Sequence, residues 1–323
     1  MPFPILRTPF VVLSEIISLL EPNEIVTASF CSKNIRCLLK RHYQRGKPLE
    51  WRLLMINHDS WGRVSIETSK NGEQITVMSA KHISELQGHE LKQNNEKCPV
   101  IYFEDLRLGT AMIVDYVTGL FRLDVFAVVM DSNGIWAIDW VNNRQEKMLG
   151  GVQLIKSLKY NSNADETLDY VLRNARFSLY FNLDYNVSDN FKFDGKLGPM
   201  KQLWIRSNGH WVTCDNLMNF DGLAIRIQGS KLSISDFNAF LRHWRAGASA
   251  RLEYLYVSFE QETFIERFDD DLEVVETDEE KVFRRSFDGH ETVFTGGYSI
   301  QRTDGVEAMI QCSPRWFLMG VWH

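Results

Sequence analysis

The spacing of apolar positions changes twice along the chain, and each change marks a different kind of element. Behind Pro9, residues Val12, Leu13, Ile16, Ile17 and Leu20 fall at i, i+1, i+4, i+5 and i+8, which gathers them on one helical face and predicts a helix ended by Pro22. A second helical pattern uses Ile25, Ala28, Ser29 and Phe30. A third uses Ile35, Leu38 and Leu39 and closes on the basic residues Lys40, Arg41 and His42, which suit a helix C-terminus. Three helices in about forty residues leave more apolar surface than they can cover by themselves.

From 47 to 105 the spacing shortens to that of strands. "WRLLMI", "RVSIET" and "QITVM" are short antiparallel candidates, the last two joined at Lys70-Asn71-Gly72, where Asn-Gly favours a hairpin. The polar tract "KHISELQGHELKQNNEK" reads as a loop or linker.

From 106 to 323 strand-like cores alternate with helical stretches. The cores are "VFAVVM" (125–130), "GVQLIK" (151–156), "FSLYFNL" (177–183), "KQLWIRS" (201–207), "LAIRIQG" (223–229) and "RLEYLYVSF" (251–259). Their centres recur roughly every 22 to 29 residues, the period of leucine-rich strand-plus-helix repeats. Helical patterns fill several intervals: "AMIVDYVTGLFR", "ADETLDYVLRNA" and "SDFNAFLRHWRAG", the last with Ser235 as expected N-cap and Gly247 as expected C′ residue. The interval 184–200 has no such pattern, so the array is irregular. Parallel strands joined by right-handed helical crossovers follow from this alternation. Near the end "YSIQRT", Asp304-Gly305 and "VEAMIQ" predict a hairpin with a type I′ turn, and "WFLMGVW" a further strand, so antiparallel strands are expected to cap the array. The fold class is therefore α/β: three N-terminal helices, then an irregular, leucine-rich-repeat-like strand/helix array with antiparallel strands at its C-terminal end.

Composition supports an ordered chain. Apolar residues make up 44% of the 323, with nine Trp and twenty Phe to fill a core. The net charge of −6 is concentrated in residues 260–280, which hold eleven carboxylates against Arg267 and read as a solvated acidic loop. No basic patch interleaved with aromatics points to nucleic acid. Five cysteines without a CxxC pair signal neither a disulfide framework nor a zinc knuckle and fit a reducing, cytoplasmic or nuclear setting. Neither a signal peptide nor a membrane span is predicted.

Candidate chemistry is sparse, and no cofactor is implied. There is no phosphate-binding GxxxxGK[ST] loop, and the surroundings of Ser60 and Ser299 each lack a glycine of the nucleophile elbow. His89-Glu90 is followed by Gln93 where a zinc helix needs His. His210, Cys214 and Asp215 are close enough in sequence to share a metal but are expected to be structural. His243 reads as a helix-surface residue, and Asp269, Asp270 and Asp271 lack a glycine-spaced ligand loop. Arg242, Arg245 and Arg251 could form a phosphate pocket, with a solvated helix end as the simpler reading. Five tryptophans, Trp136, Trp140, Trp204, Trp211 and Trp244, are the pool of aromatic anchors.

Residues 8–39 resemble an F-box without a gap: Pro9, Leu13, Glu15, Ile16, Ile17, Leu20, Pro22, Glu24, Ser29, Ser32, Lys33 and Arg36 stand where that motif places their types. Thr8 replaces the usual Leu, and Asn34-Ile35 replaces a common aromatic. The segments "LWIRSNGHWVTCDNLMNFDGLAIRIQGSKLSISDFNAFLRHWRAG" and "GGYSIQRTDGVEAMI" resemble the type 2 F-box-associated domain of the F-box family expanded in nematodes. This resemblance divides the chain into an F-box (1–46), short antiparallel strands with a polar linker (47–105) and a repeat-like F-box-associated domain (106–323). It implies docking on the Skp1 adaptor, and through it a cullin, of an SCF-type ubiquitin ligase, with capture of a substrate protein by the C-terminal domain and no catalysis by the chain. The alternative is a scaffold that binds Skp1 or another partner without substrate ubiquitination. The expected Skp1 contacts are Pro9, Leu13, Ile16, Leu20 and Pro22, with Lys33 at the rim; packing of any of them against the rest of the chain is the alternative.

Overall fold

A computed structural model describes residues 9–45, 50–58, 61–68, 72–86, 97–157, 163–262 and 268–322. It is mixed α/β, and the chain divides into two compact units, Met1–Leu149 with Ser157–Lys159, and Gly150–Lys156 with Tyr160–His323.

The first unit opens with α1 (Phe10–Leu19), α2 (Pro22–Cys31) and α3 (Lys33–Arg45). Pro22 is the first residue of α2 rather than the last of α1, a position where its missing N–H costs nothing. The Glu24 carboxylate then accepts from the Glu21 N–H at 2.9 Å, closing the N-terminus of α2. Strands β1 (Arg52–His58), β2 (Trp61–Glu67) and β3 (Gln74–His82) form an antiparallel meander, with β4 (Val100–Phe103) parallel to β3. Lys70 and Asn71 of the expected turn lie outside the described residues, but Gly72 has φ +62°. Helix α4 (Leu106–Phe121), capped by the Asp105 carboxylate accepting from Leu108 N–H at 3.1 Å, leads to β5 (Val125–Met130), which pairs parallel with β1; α5 (Trp136–Arg144) follows. The strand order is β5-β1-β2-β3-β4. Helix α4 lies directly on β2 at Gly62, where a Cβ would come within 2.0 Å of Thr110 Oγ1. Although the sequence groups α4 and β5 with the later strands, they pack in this unit, against α3 and the meander.

The second unit contains β6 (Leu149–Ile155), α6 (Ala164–Asn174), β7 (Phe177–Asp184), β8 (Leu197–Ile205), α7 (Cys214–Asn219), β9 (Phe220–Ser230), α8 (Ile234–Arg245), β10 (Tyr254–Phe259), β11 (Val275–Arg284), β12 (Glu291–Gln301), β13 (Glu307–Ser313) and β14 (Trp316–Trp322). Strands β7 to β10 stand side by side in chain order, each parallel to the next. Beyond β10 the sheet turns antiparallel in the order β14-β13-β12-β11.

Two local expectations need correction. The cap of α8 is Ser233 rather than Ser235: its hydroxyl accepts from Asp236 N–H at 3.2 Å, and the Asp236 carboxylate accepts from Ser233 N–H at 2.8 Å. Asp236 lies three positions beyond Ser233, the spacing of a reciprocal capping box. Gly247 does follow the helix at φ +93°. The β12–β13 hairpin is present, but its turn is not type I′, which requires positive φ at two successive residues. Gly305 has φ +92°, whereas Asp304 is not left-handed. The loop is closed by Arg302 N–H to Val306 C=O at 2.8 Å and Gly305 N–H to Arg302 C=O at 2.9 Å, the pattern of a three-residue loop ending in a glycine bulge.

The period-2 alternation of β8, β9 and β10 sorts their side chains onto two faces. Leu203, Ile205, Ile225, Ile227, Leu255 and Val257 are buried on one face. Helix α8 covers that face through Phe237, whose ring stacks on Phe317 at 4.3 Å and meets Phe259 edge-on at 5.8 Å. The other face carries Trp204, Arg226 and Tyr256 in one row. Along β14 this second face is covered from above by Phe283 and Phe294. A Cβ at Gly320 would lie 2.8 Å from Phe294, so only glycine leaves room for that ring.

Candidate docking surfaces

Helices α1 to α3 are held to the first unit by a specific set of contacts. Leu13, Ile17, Ile25, Val26 and Leu39 are buried. The Ser29 hydroxyl donates to Val26 C=O at 2.5 Å and lies 2.7 Å from the Tyr116 hydroxyl of α4, while the Phe30 ring stacks on Tyr116 at 4.9 Å. Asn23 Nδ2 donates to Lys97 C=O at 3.1 Å. Tyr43 meets Phe121 of α4 edge-on at 5.0 Å. Between α1 and α3, Ser14 Oγ lies 3.4 Å from His42 Nδ1, and burial holds the His42 imidazole pKa below its ordinary value.

These contacts leave one flank of α1 uncovered. Val12 and Leu19 are 48% and 83% exposed, and with half-buried Ile16 and Leu20 they form an i, i+4, i+7, i+8 stripe. Val11, at 73%, extends it. Of the residues singled out by sequence, Pro9 and Lys33 are exposed, Ile16 and Leu20 are half-buried at the stripe, and Leu13 and Pro22 point inward and are buried. Val12 and Leu19 were not among them. The helical period could have found both: Val12, Leu19 and Leu20 complete the outward stripe through Ile16.

In the second unit, Trp211 and Trp244 are core residues, 4% and 0% exposed, as is Trp136 in the first. Trp140 and Trp204 are half-buried. The three arginines considered for a phosphate pocket are engaged within the chain. Arg242 pairs with Asp269 at 2.5 Å and Asp271 at 2.7 Å, Arg245 pairs with Glu273, and Arg251 with Asp221 at 2.8 Å. Part of the acidic stretch is therefore a clamp on the C-terminal end of α8, and from Val275 onward it is the edge strand β11 rather than a loop.

The remaining candidates have structural partners. His210 Nε2 lies 3.1 Å from Ser188 C=O, and the Cys214 thiol donates to Asp236 C=O at 3.2 Å. Burial, with Asp236 and Asp215 nearby, pushes the Cys214 pKa up to about 11, which suits neither a metal ligand nor a nucleophile. Ser299 Oγ donates to Val275 C=O at 3.4 Å, and His243 is half-buried on α8. Thr8, Ser60, His89 and Glu90 lie outside the described residues. Among those described, no group of three or more His, Cys, Asp and Glu is placed to hold a metal ion, and no helix is long and apolar enough to cross a membrane.

Comparison with known proteins matches residues 9–45 to the F-box domain and residues 197–257 to the F-box associated family. The first match is the α1–α3 module, and the second spans β8 through most of β10. The chain thus carries an F-box domain followed further along by an F-box-associated segment. It is similar to the Skn-1 dependent zygotic transcript 15 protein of Caenorhabditis elegans, 20% identical over 97% of this chain and 95% of that protein. No solved structure matches.

Proposed function

We propose that the chain is the substrate-recognition adaptor of an SCF-type E3 ubiquitin ligase. Its F-box docks on Skp1, and through it on a cullin, while the F-box-associated domain binds a substrate protein. The observation that carries the reading is the uncovered apolar flank of α1. A helix that leaves Val12, Ile16, Leu19 and Leu20 partly in water, although it is otherwise anchored to the fold, suits a partner that supplies the missing apolar surface. Pro9, Ile16, Leu20 and Lys33 contact the adaptor in this reading, joined by Val12 and Leu19. Leu13 and Pro22 set the pose of α1 and α2 from beneath.

The chain then contributes proximity rather than catalysis, holding substrate lysines near an E2 recruited elsewhere in the complex. Residues 1–46 are the docking module, 47–105 the connecting strands and linker, and 106–323 the F-box-associated part. Co-purification of the full chain with Skp1 and a cullin, followed by identification of the proteins that accumulate when the chain is deleted, tests the whole assignment. Recovery of both ligase subunits and accumulation of a bound protein is the expected result. No recovery of Skp1 refutes the docking role; recovery without any accumulation assigns the chain to non-degradative scaffolding.

A further inference from the structure

The face of β8–β10 that α8 does not cover carries more cationic than anionic side chains. Trp204, Arg226 and Tyr256 share a row across β8, β9 and β10. The Arg206 guanidinium lies over the Trp204 ring at 4.0 Å. That of Arg226 lies 5.5 Å from Trp204 and 5.2 Å from Tyr254, and Arg285, which follows β11, lies 5.6 Å from the same Tyr254 ring. Two guanidinium groups thus flank one tyrosine.

Their hydrogen-bonding capacity is incompletely used. Arg285 is 5% exposed, and Asp288 takes its NH2 at 2.8 Å, but its Nε and NH1 have no partner among the described residues. Arg226 Nε is also buried without a partner there, as is Trp204 Nε1. The Arg226 guanidinium donates a hydrogen bond to the Tyr254 hydroxyl, and Arg206 is attracted by Asp184. The nearby Asp184 is already bound by Lys156 at 3.3 Å and Ser207 at 2.7 Å. Burial, and then the neighbouring Arg226 charge, push the Arg285 pKa down, and Asp288 offsets only part of this. Desolvated donors in this state are costly, and the planar guanidinium fork donates best to a planar carboxylate.

We propose that this face binds an acidic segment of a protein partner, seating an Asp or Glu carboxylate between Arg226 and Arg285 and a neighbouring apolar side chain on Trp204 and Tyr256. The occupant is a protein segment because the anion site is continuous with aromatic surface, which a lone inorganic anion would leave uncovered. The inference rests on the adaptor reading for its biological meaning and names the chemistry of the substrate that reading requires. Most of the site falls within the segment matched by the F-box associated family.

The test uses the full chain with its Skp1-type partner and fluorescent peptides of about ten residues read by anisotropy. One peptide alternates Glu with Leu and Val, a second has Gln for Glu, and a third is the Gln peptide with one phosphoserine. The Glu peptide is expected to bind and to weaken with salt, and the Gln peptide to bind at least about tenfold more weakly. Arg226→Gln should cost about tenfold, Arg226→Lys less, and Arg251→Gln, on a different surface, nothing. Circular dichroism confirms the fold of each variant; Arg206→Gln, at an exposed position, serves if Arg226→Gln unfolds. Equal binding of the Glu and Gln peptides, binding of the phosphoserine peptide alone, or full affinity in a folded Arg226 variant overturns the proposal. Skp1 co-purification from the same samples separates the two ideas. Retained Skp1 without peptide binding refutes only the acidic site, and lost Skp1 with peptide binding refutes only the docking role.

Discussion

Leu13 and Leu19 sit six residues apart on α1, on different faces, the first 5% and the second 83% exposed. Their substitutions should therefore separate folding from binding. Leu13→Ala removes buried methyl groups and is expected to cost about 2–5 kcal/mol of stability. Leu19→Asp, changing a side chain already in water, is expected to cost under about 0.5 kcal/mol. Chemical denaturation of the two variants checks both values. His42 gives the same junction a pH dependence. Its folded pKa is held below 6.5, so the unfolded chain takes up the proton first as pH falls. Stability should be undiminished above pH 6.5 and decline below it, and His42→Gln should flatten that decline, as thermal melts at pH 7.5 and 5.5 would show. Among the cysteines, Cys31 and Cys37 are exposed, whereas the Cys214 thiol, with a pKa of about 11, stays protonated at pH 8. Iodoacetamide followed by peptide mass spectrometry should find the first two modified well before Cys214.

At the scale of elements, α8 holds the second unit together. Phe237, fully buried between Phe259 and Phe317, should cost about 3–5 kcal/mol when replaced by Ala, and Ser233→Ala about 1 kcal/mol through loss of the cap. Ser235→Ala, at the position first expected to cap the helix, should have a smaller effect, and thermal unfolding ranks the three. Strands such as 125–130, six consecutive apolar residues, were legible to the residue because a short uninterrupted apolar run of that length fits a strand buried on both faces. The cap was missed by two positions because two serines stand two apart and only the reach of Asp236 chooses between them. The hairpin was legible and its turn type was not, since Asp-Gly permits a type I′ pair or a bulge, and strand register decides. The acidic run reads as a solvated loop in sequence because the partners that order it are distant: Arg242 and Arg245, more than twenty residues earlier, hold Asp269 and Glu273, and β12 pairs with the part from Val275 onward.

Across the whole molecule, the order of F-box and F-box-associated segments was readable because both carry motifs of fixed residue types. The exposed flank of α1 was only partly so. Periodicity finds the apolar positions of α1, but which of them face water depends on where α3 and α4 sit. That placement is fixed by contacts such as Ser29–Tyr116 and Tyr43–Phe121, between residues more than seventy positions apart. The arginines over Tyr254 come together in the same way, from β9 and from the end of β11. The central claim, that the outward stripe of α1 is an adaptor-binding surface, is tested most directly by the affinity of purified Skp1 for the full chain, wild type against Leu19→Asp, in titration calorimetry. A loss of about thirtyfold or more with an unchanged melting temperature is the result expected of an apolar anchor worth ~2 kcal/mol. Equal affinity of the two folded proteins would contradict the account.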